Sequence, residues 1–413
     1  MRLNTMAWRS LSRNRRRTLI TSLSVALGIF LAVTLTGSGD YSYTNMINTS
    51  TIMGLGHVSV AEEGYNDRPS LSRWLRDAGG LRDTAAGLPR VTGAYPRIMG
   101  QAMFAAGAKS AGGMFMGIDP ALEGTEHNFF LRSVVAGSLF AEADGRGALI
   151  GAEMAKKLNL RPGRKMVITV TDKDGELASE LLRISGVFRT GDHAADSGIV
   201  LVPLDRLRQT LGYGPGGATL LAVYTDDLRR VADIRATLAA RLARLGALEV
   251  LTWRETQADL AGLIAVDRLF NYLMQLLVGL VIAAGIMNTM LMSVLERGRE
   301  FGIMLAVGMA PSQVARLVLV ESLWLGCLGV VLGIVLTAPW FYYMSRTGID
   351  LSGLVGEDYS AGGVLVDPVL KLRLFRESAL AILASVFLLT LAAGIYPAIR
   401  AGRVLPAQSI KEK

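Results

Sequence analysis

The sequence predicts an α-helical membrane protein: four transmembrane helices, with a large α+β domain inserted outside the membrane between the first and second. Three observations predict this. Apolar residues gather in four runs, one interval of about 200 residues between the first two runs mixes strand and helix patterns, and arginines crowd the chain's two ends.

The runs are Thr18–Thr36, Leu269–Leu295, Val314–Phe341 and Ser378–Tyr396, in a chain of 413 residues of which 51% are hydrophobic. Each is long enough for a helix rising 1.5 Å per residue to cross a hydrocarbon layer roughly 30 Å thick. Basic residues beside membrane helices stay on the cytoplasmic side. Arg2, Arg9, Arg13, Arg15, Arg16 and Arg17 precede the first run, and Arg400, Arg403, Lys411 and Lys413 follow the last. Both ends and the 296–313 link are therefore expected inside, with the large domain and the 344–377 loop outside. Arg346, Lys371, Arg373 and Arg376 in that loop run against the rule, and five acidic residues offset them.

The boundaries expected along the chain are an interfacial amphipathic helix over 1–16, a first span over 17–38 and the outer domain over 39–253. A stalk and second span follow over 254–295, then an inner helix over 296–312 and a third span over 313–343. The outer loop covers 344–377, the fourth span 378–396 and a basic tail 397–413. In the first segment Leu3, Met6, Ala7 and Leu11 share one helical face with arginines opposite, which suits a helix lying at the headgroups. The first span is expected to be an uncleaved anchor rather than a secretory signal, because it is too long for one.

In the outer domain, "HVSV" (57–60), "KMVITVT" (165–171), "LLRISGVF" (181–188) and "GIVLVP" (198–203) alternate or are β-branched and read as strands. Residues 152–160, 204–212 and 226–246 have helical periodicity. No proline occurs between Pro215 and Pro311, so a continuous helix from about Trp253 to Phe301 is predicted. At about 70 Å it would be more than twice the membrane thickness. A break near Asp267 or Asn271 is the alternative.

The net charge of +8 gathers beside the membrane helices, which points to anionic headgroups and away from nucleic acid. The single cysteine, Cys327, precludes an intramolecular disulfide. There is no G-x-x-x-x-G-K-[ST] phosphate loop, no G-x-S-x-G elbow and no H-E-x-x-H helix. His57, His127 and His193 are far apart in sequence, and Asp192, His193 and Asp196 read as a solvated loop rather than a metal site. No catalytic, cofactor or metal residue is assigned. Two features stand out in the spans. Gly326, Gly329 and Gly333 allow close helix packing, within the subunit or across a dimer. Glu321, an ionisable group about two turns into the third span, must face protein or water.

The stretches "RSLSRNRRRTLITSLSVALGI" (9–29), "SVLERGREFGIMLAVGMAPSQVARLVLVESLWLGCLGVVLGIVL" (293–336) and "AGIYPAIRAGRVLPAQSIK" (393–411) resemble the FtsX-like permeases. That family includes the MacB exporter and the lipoprotein-release permeases. "GHVSV" (56–60) and "GMFMGIDP" (113–120) look like its MacB-like periplasmic domain. The resemblance implies a permease subunit of an ABC transporter in the bacterial inner membrane, working by mechanotransmission. Two copies of a separate ATPase would bind ATP and magnesium, and a second permease copy or paralogue would complete the complex. It also implies that 296–312 is a coupling helix. Arg297, Arg299 and Glu300 would make polar contacts in a groove of the ATPase, Phe301, Met304 and Leu305 would pack there, Glu296 and Gly308 complete the coupling set, and bulk at Gly308 would act through backbone crowding. The function favoured is release of lipoproteins to a periplasmic carrier. Peptide or drug efflux with a membrane-fusion adaptor, and FtsX-like regulation of a cell-wall hydrolase, are the alternatives.

Overall fold

The computed structural model describes residues 3–13, 15–125, 128–140, 145–351, 353, 360–361, 364–365 and 369–404. His127, Lys411 and Lys413, and the end of the basic tail, lie outside the described residues. In chain order the main elements are α1 (Leu3–Arg13), α2 (Arg15–Ser50), β1 (Val58–Glu62), α3 (Ala78–Ala86), β2 (Val91–Ala106), β3 (Lys109–Ile118), α4 (Phe129–Arg132), β4 (Val134–Gly137), β5 (Gly147–Gly151) and α5 (Ala152–Leu158). Then come β6 (Lys165–Thr171), β7 (Leu177–Phe188), α6 (His193–Gly198), β8 (Ile199–Pro203), α7 (Leu204–Thr210), β9 (Leu220–Thr225), α8 (Val231–Leu242), β10 (Leu248–Thr252) and α9 (Trp253–Thr256). The chain closes with α10 (Ala258–Glu296), α11 (Gly298–Ala306), α12 (Pro311–Arg346) and α13 (Arg376–Gly402).

The elements form two compact units. One holds residues 1–42, 265–350 and 369–413, the other 43–264 and 351–368.

In the first unit, α2, α10, α12 and α13 are each long and apolar enough to span a membrane. Their shared core includes Val25, Ile29, Ile286, Met290, Leu317 and Ala398. Small residues set the spacing. A Cβ on Gly329 would sit 2.5 Å from Val25, and one on Gly333 would sit 2.6 Å from Ile29, so α12 approaches α2 at positions where only glycine fits. Gly326 faces Phe387 and Thr390 of α13. The glycine stripe thus packs inside the chain. Helix α1 also belongs to this core: Ala7 is 0% and Leu11 5% exposed, and Trp8 meets Trp324 of α12 edge to face at 5.1 Å. Its apolar face packs on protein, where the sequence predicts a face lying on lipid.

The predicted long helix is interrupted twice. Gln257, with φ −128° and ψ 58°, separates α9 from α10, and Arg297, with φ −98° and ψ 11°, separates α10 from α11. Between these points α10 is continuous for 39 residues and passes Asp267 and Asn271 unbroken. Asn271 and Gln275 satisfy their amides locally: Gln275 donates to Thr36 Oγ1 at 2.9 Å and to Asn271 Oδ1 at 3.1 Å.

The second unit is an α+β domain on one mixed sheet. Its strand path runs β10-β1-β9-β2-β3-β8-β5-β7-β4, and β6 pairs with both β2 and β7, which closes β2, β3, β8, β5, β7 and β6 into a ring. Phe104, Phe115, Ile150, Met154, Ile168 and Val200 fill one core there. The first half of β2 continues into β9, β1 and β10, where α3 and α8 cover the sheet with Leu81, Ala85, Ile234 and Leu238. The strands predicted at 165–171, 181–188 and 198–203 and the helices at 152–160 and 204–212 all lie on observed elements. The 16-residue β2, which joins the two cores, has no clean alternation in its sequence and was not foreseen.

Several polar side chains buried in this unit pair with one another. Arg97, 0% exposed, forms an ion pair with Glu123 and donates to Tyr224 Oη at 3.1 Å, and Asn128 Nδ2 donates to Glu123 at 3.2 Å. Asp192 caps α6 by accepting from the Ala195 amide at 2.8 Å, while Asp196 accepts from the Thr190 amide and hydroxyl, both at 2.8 Å. These two carboxylates are buried and hold a turn, where the sequence predicts a solvated loop.

Candidate functional site

The charged link between α10 and α12 is built around a helix break. Arg297 leaves helical geometry after α10, α11 runs for nine residues, and Gly308, at φ +101°, reverses the chain. Glycine suits that conformation because it lacks a Cβ. Nothing lies within 4 Å of where a Cβ would be, so the constraint at Gly308 is backbone conformation and not the crowding expected from sequence. Pro311 then starts α12 at a position where a missing N–H costs nothing, and Gln313 accepts from the Ala310 amide at 3.1 Å.

The break aims Arg297 inward. Its Nη1 donates to both carboxylate oxygens of Glu321, at 2.9 and 3.1 Å, and its Nε donates to Glu300 at 2.9 Å. The guanidinium carbon lies 4.9 Å from the centre of the Phe301 ring. Arg297 is 8%, Glu321 4% and Phe301 0% exposed. Burial alone would lower the Arg297 pKa, but the charges of Glu321 and Glu300 outweigh it and raise the value. For Glu300, burial acts upward, and hydrogen bonds from Arg297 and Arg13 overcome it and hold the carboxyl below its usual range.

The same cluster reaches the N-terminal helix. Arg13, at the end of α1, pairs with Glu300, and Arg17, in the first turn of α2, lies 3.5 Å from Glu296. Four elements therefore meet through charge: α1 and α2 through their arginines, the link through Glu300 and Arg297, and α12 through Glu321. These arginines read in sequence as orientation signals only. Nothing local marks them as partners of residues nearly 300 positions away.

Two of the residues expected to dock are turned inward: Phe301 and Arg297 are buried in the chain's own core. Met304 and Leu305 are half-buried against that core. The outward face of α11 is instead Arg299, Ile303 and Val307, spaced four apart, with Ile303 49% and Val307 84% exposed. Glu296 and Gly308 are also exposed. The sequence reading missed Ile303 and Val307, although the i, i+4 spacing from Arg299 carried the signal.

Among the described residues no three His, Cys, Asp or Glu side chains form a group that could hold a metal ion. The spans and the folded outer domain, with a structured charged link between spans, define a multi-pass membrane protein with a large extracytoplasmic domain. Comparison with known families is specific. The MacB-like periplasmic core domain matches residues 18–241, just over half of the chain, and the FtsX-like permease C-terminal domain matches residues 272–406. The chain belongs to the MacB/Lol-type ABC transporter permeases and is a permease subunit of the LolC/FtsX type, which acts with an ABC ATPase. It is 25% identical over 423 residues to the lipoprotein-releasing system transmembrane protein LolC of Xylella fastidiosa, covering 98% of this chain and 97% of that one. It is 26% identical over 363 residues to the macrolide export ATP-binding/permease protein MacB of Hyphomonas neptunium, covering 84% of this chain but 54% of that one. Among solved structures, the periplasmic region of MacB from Actinobacillus actinomycetemcomitans aligns with a TM-score of 0.36 at 15% identity, over 51% of this chain and 94% of that one.

Proposed function

We propose that this chain is the permease of a lipoprotein-releasing ABC transporter in the bacterial inner membrane, with both termini and the link at the cytoplasmic face. The observation that carries the coupling role is the outward Arg299, Ile303 and Val307 face on a helix whose other side is locked to α12 by the Arg297–Glu321 pair. A helix seated this firmly passes a push from a docked ATPase into the span rather than absorbing it. ATP and magnesium are bound by that ATPase, and a second permease copy or paralogue completes the complex.

Near-complete collinearity with LolC supports lipoprotein as the cargo and a periplasmic carrier as the recipient. The MacB likeness keeps efflux through an adaptor as the second reading. The deciding measurement is ATP hydrolysis by the purified permease–ATPase complex in nanodiscs. Stimulation by a triacylated protein, and not by its unacylated form, is expected. Stimulation by small amphiphiles alone would overturn the lipoprotein reading and leave the permease assignment standing.

A further inference from the structure

A cleft of about 210 Å³ lies between α1, the first two turns of α2, and α12. Leu11, Leu19, Leu328 and Leu332 form its apolar wall. Ser12 and Arg15 line it where α1 passes into α2. Ser22 lines it seven residues further along, roughly 10 Å deeper. Two hydrogen bonds fix the junction: Thr18 Oγ1 donates to the Leu11 carbonyl at 3.0 Å, and Arg15 Nε donates to the Ser12 carbonyl at 3.4 Å.

The charge beside the cleft is one-sided. Arg13 and Arg17 have acidic partners in the link, whereas Arg9, Arg15 and Arg16 are exposed and form no ion pair among the described residues. A second observation points into the same space. Ser22 is 1% exposed, lines the cleft, and its hydroxyl has no hydrogen-bond partner among the described residues. Such a buried donor is costly to leave unmet, and an ester oxygen near the top of an acyl chain would satisfy it. Trp8, 46% exposed, forms part of the rim, a position tryptophan favours at the headgroup boundary.

We infer that this cleft is a binding site for a phospholipid with an anionic headgroup. Its phosphodiester lies against Arg15, with Arg9 and Arg16 adding to the local positive potential, and one acyl chain enters between Leu19 and Leu328. A zwitterionic lipid offers the same chain but no net negative charge, so the arginines are what select. Because α1 also carries Arg13, which holds Glu300, the occupant keeps in place the helix that steadies the link. This inference does not depend on the cargo proposed above.

The test is tryptophan quenching in the full-length protein, titrated in micelles with brominated phosphatidylglycerol or brominated phosphatidylcholine. Phosphatidylglycerol is expected to quench at about ten-fold lower mole fraction, and R15Q to narrow that preference about five-fold, near the effect of one arginine at a membrane surface. The triple variant R9Q/R15Q/R16Q should abolish the preference, R15K should keep it, and W8F should remove the responsive component. All these positions except part of Trp8 are exposed, so loss of folding will not confound them. Equal quenching by the two lipids, or an unchanged preference in the triple variant, would overturn the inference.

Discussion

Arg297 and Glu321 form a buried ion pair, 24 positions apart, that fastens the helix break after α10 to the interior of α12. The carboxylate was legible in sequence as a costly intramembrane charge, and the arginine as part of a charged turn. Removing Arg297 leaves Glu321 buried and unpaired, which costs about 3–5 kcal/mol, and removing Glu321 leaves Arg297 only Glu300, whereas replacing both with apolar residues of similar size costs far less. R297M and E321L alone should each sharply lower the unfolding temperature in micelles, and R297M/E321L should recover most of it. Additive losses in the double variant would show that the pair is not the source of the effect.

The two faces of α11 should separate in mutagenesis. I303D and V307D, on the exposed face, are expected to abolish co-purification with the ATPase while the permease keeps its wild-type melting profile. F301D should instead prevent stable folding, since a charge replaces a ring that is 0% exposed. Had Phe301 packed into the ATPase groove, as the sequence predicts, the same variant would fold normally and fail only in coupling. Wild-type binding of the ATPase by V307D would remove the docking face.

Crowding the glycine stripe should loosen α2 from α12. G329L and G333L would drive side chains into Val25 and Ile29, at a cost on the order of 1–3 kcal/mol each. The unfolding temperature in micelles should fall in both variants. An unchanged unfolding temperature would mean that the helices have another way to pack.

In the extracytoplasmic domain, R97M should cost about 3–5 kcal/mol by stranding Glu123, because breaking a fully buried pair leaves an uncompensated charge. R97M/E123L should be milder. Thermal unfolding followed by near-ultraviolet circular dichroism reads both, and a single-variant loss under 1 kcal/mol would contradict the assignment.

His57 supplies a pH dependence. Burial lowers its pKa to about 4 from an ordinary value near 6.5, and its Nδ1 accepts from the Thr225 amide at 3.2 Å. The folded state resists protonation that the unfolded chain accepts, so stability falls as pH drops from about 6.5 towards 4. The loss is at most about 3 kcal/mol. Hydrogen exchange at the β1 and β9 amides should accelerate over that window in the wild type and less in H57Q. Identical pH profiles in the two would place the effect elsewhere.

The strand at 165–171 is readable because alternating burial leaves a period of two in the sequence, and that at 199–203 because a short β-branched run is bounded by Gly198 and Pro203. Strand β2 was not, because its first half serves one core and its second half another, and the two patterns blur. The Arg13–Glu300 and Arg17–Glu296 contacts were invisible for a simpler reason: charge is written in the sequence, but its partner is chosen by the packing of helices far apart in the chain.

By itself the sequence determined that four segments enter lipid, that a mixed domain stands between the first two, and that a charged, amphipathic link joins the second to the third. Hydrophobic length, side-chain period and charge are local quantities. Only the tertiary structure decided which side of that link is buried, because the helix break at Arg297 turns Phe301 and the guanidinium onto α12. It likewise decided that Ile303 and Val307 face outward and that the glycine stripe serves this chain's own α2 and α13. Those outcomes depend on the angle between helices, which short-range patterning does not encode.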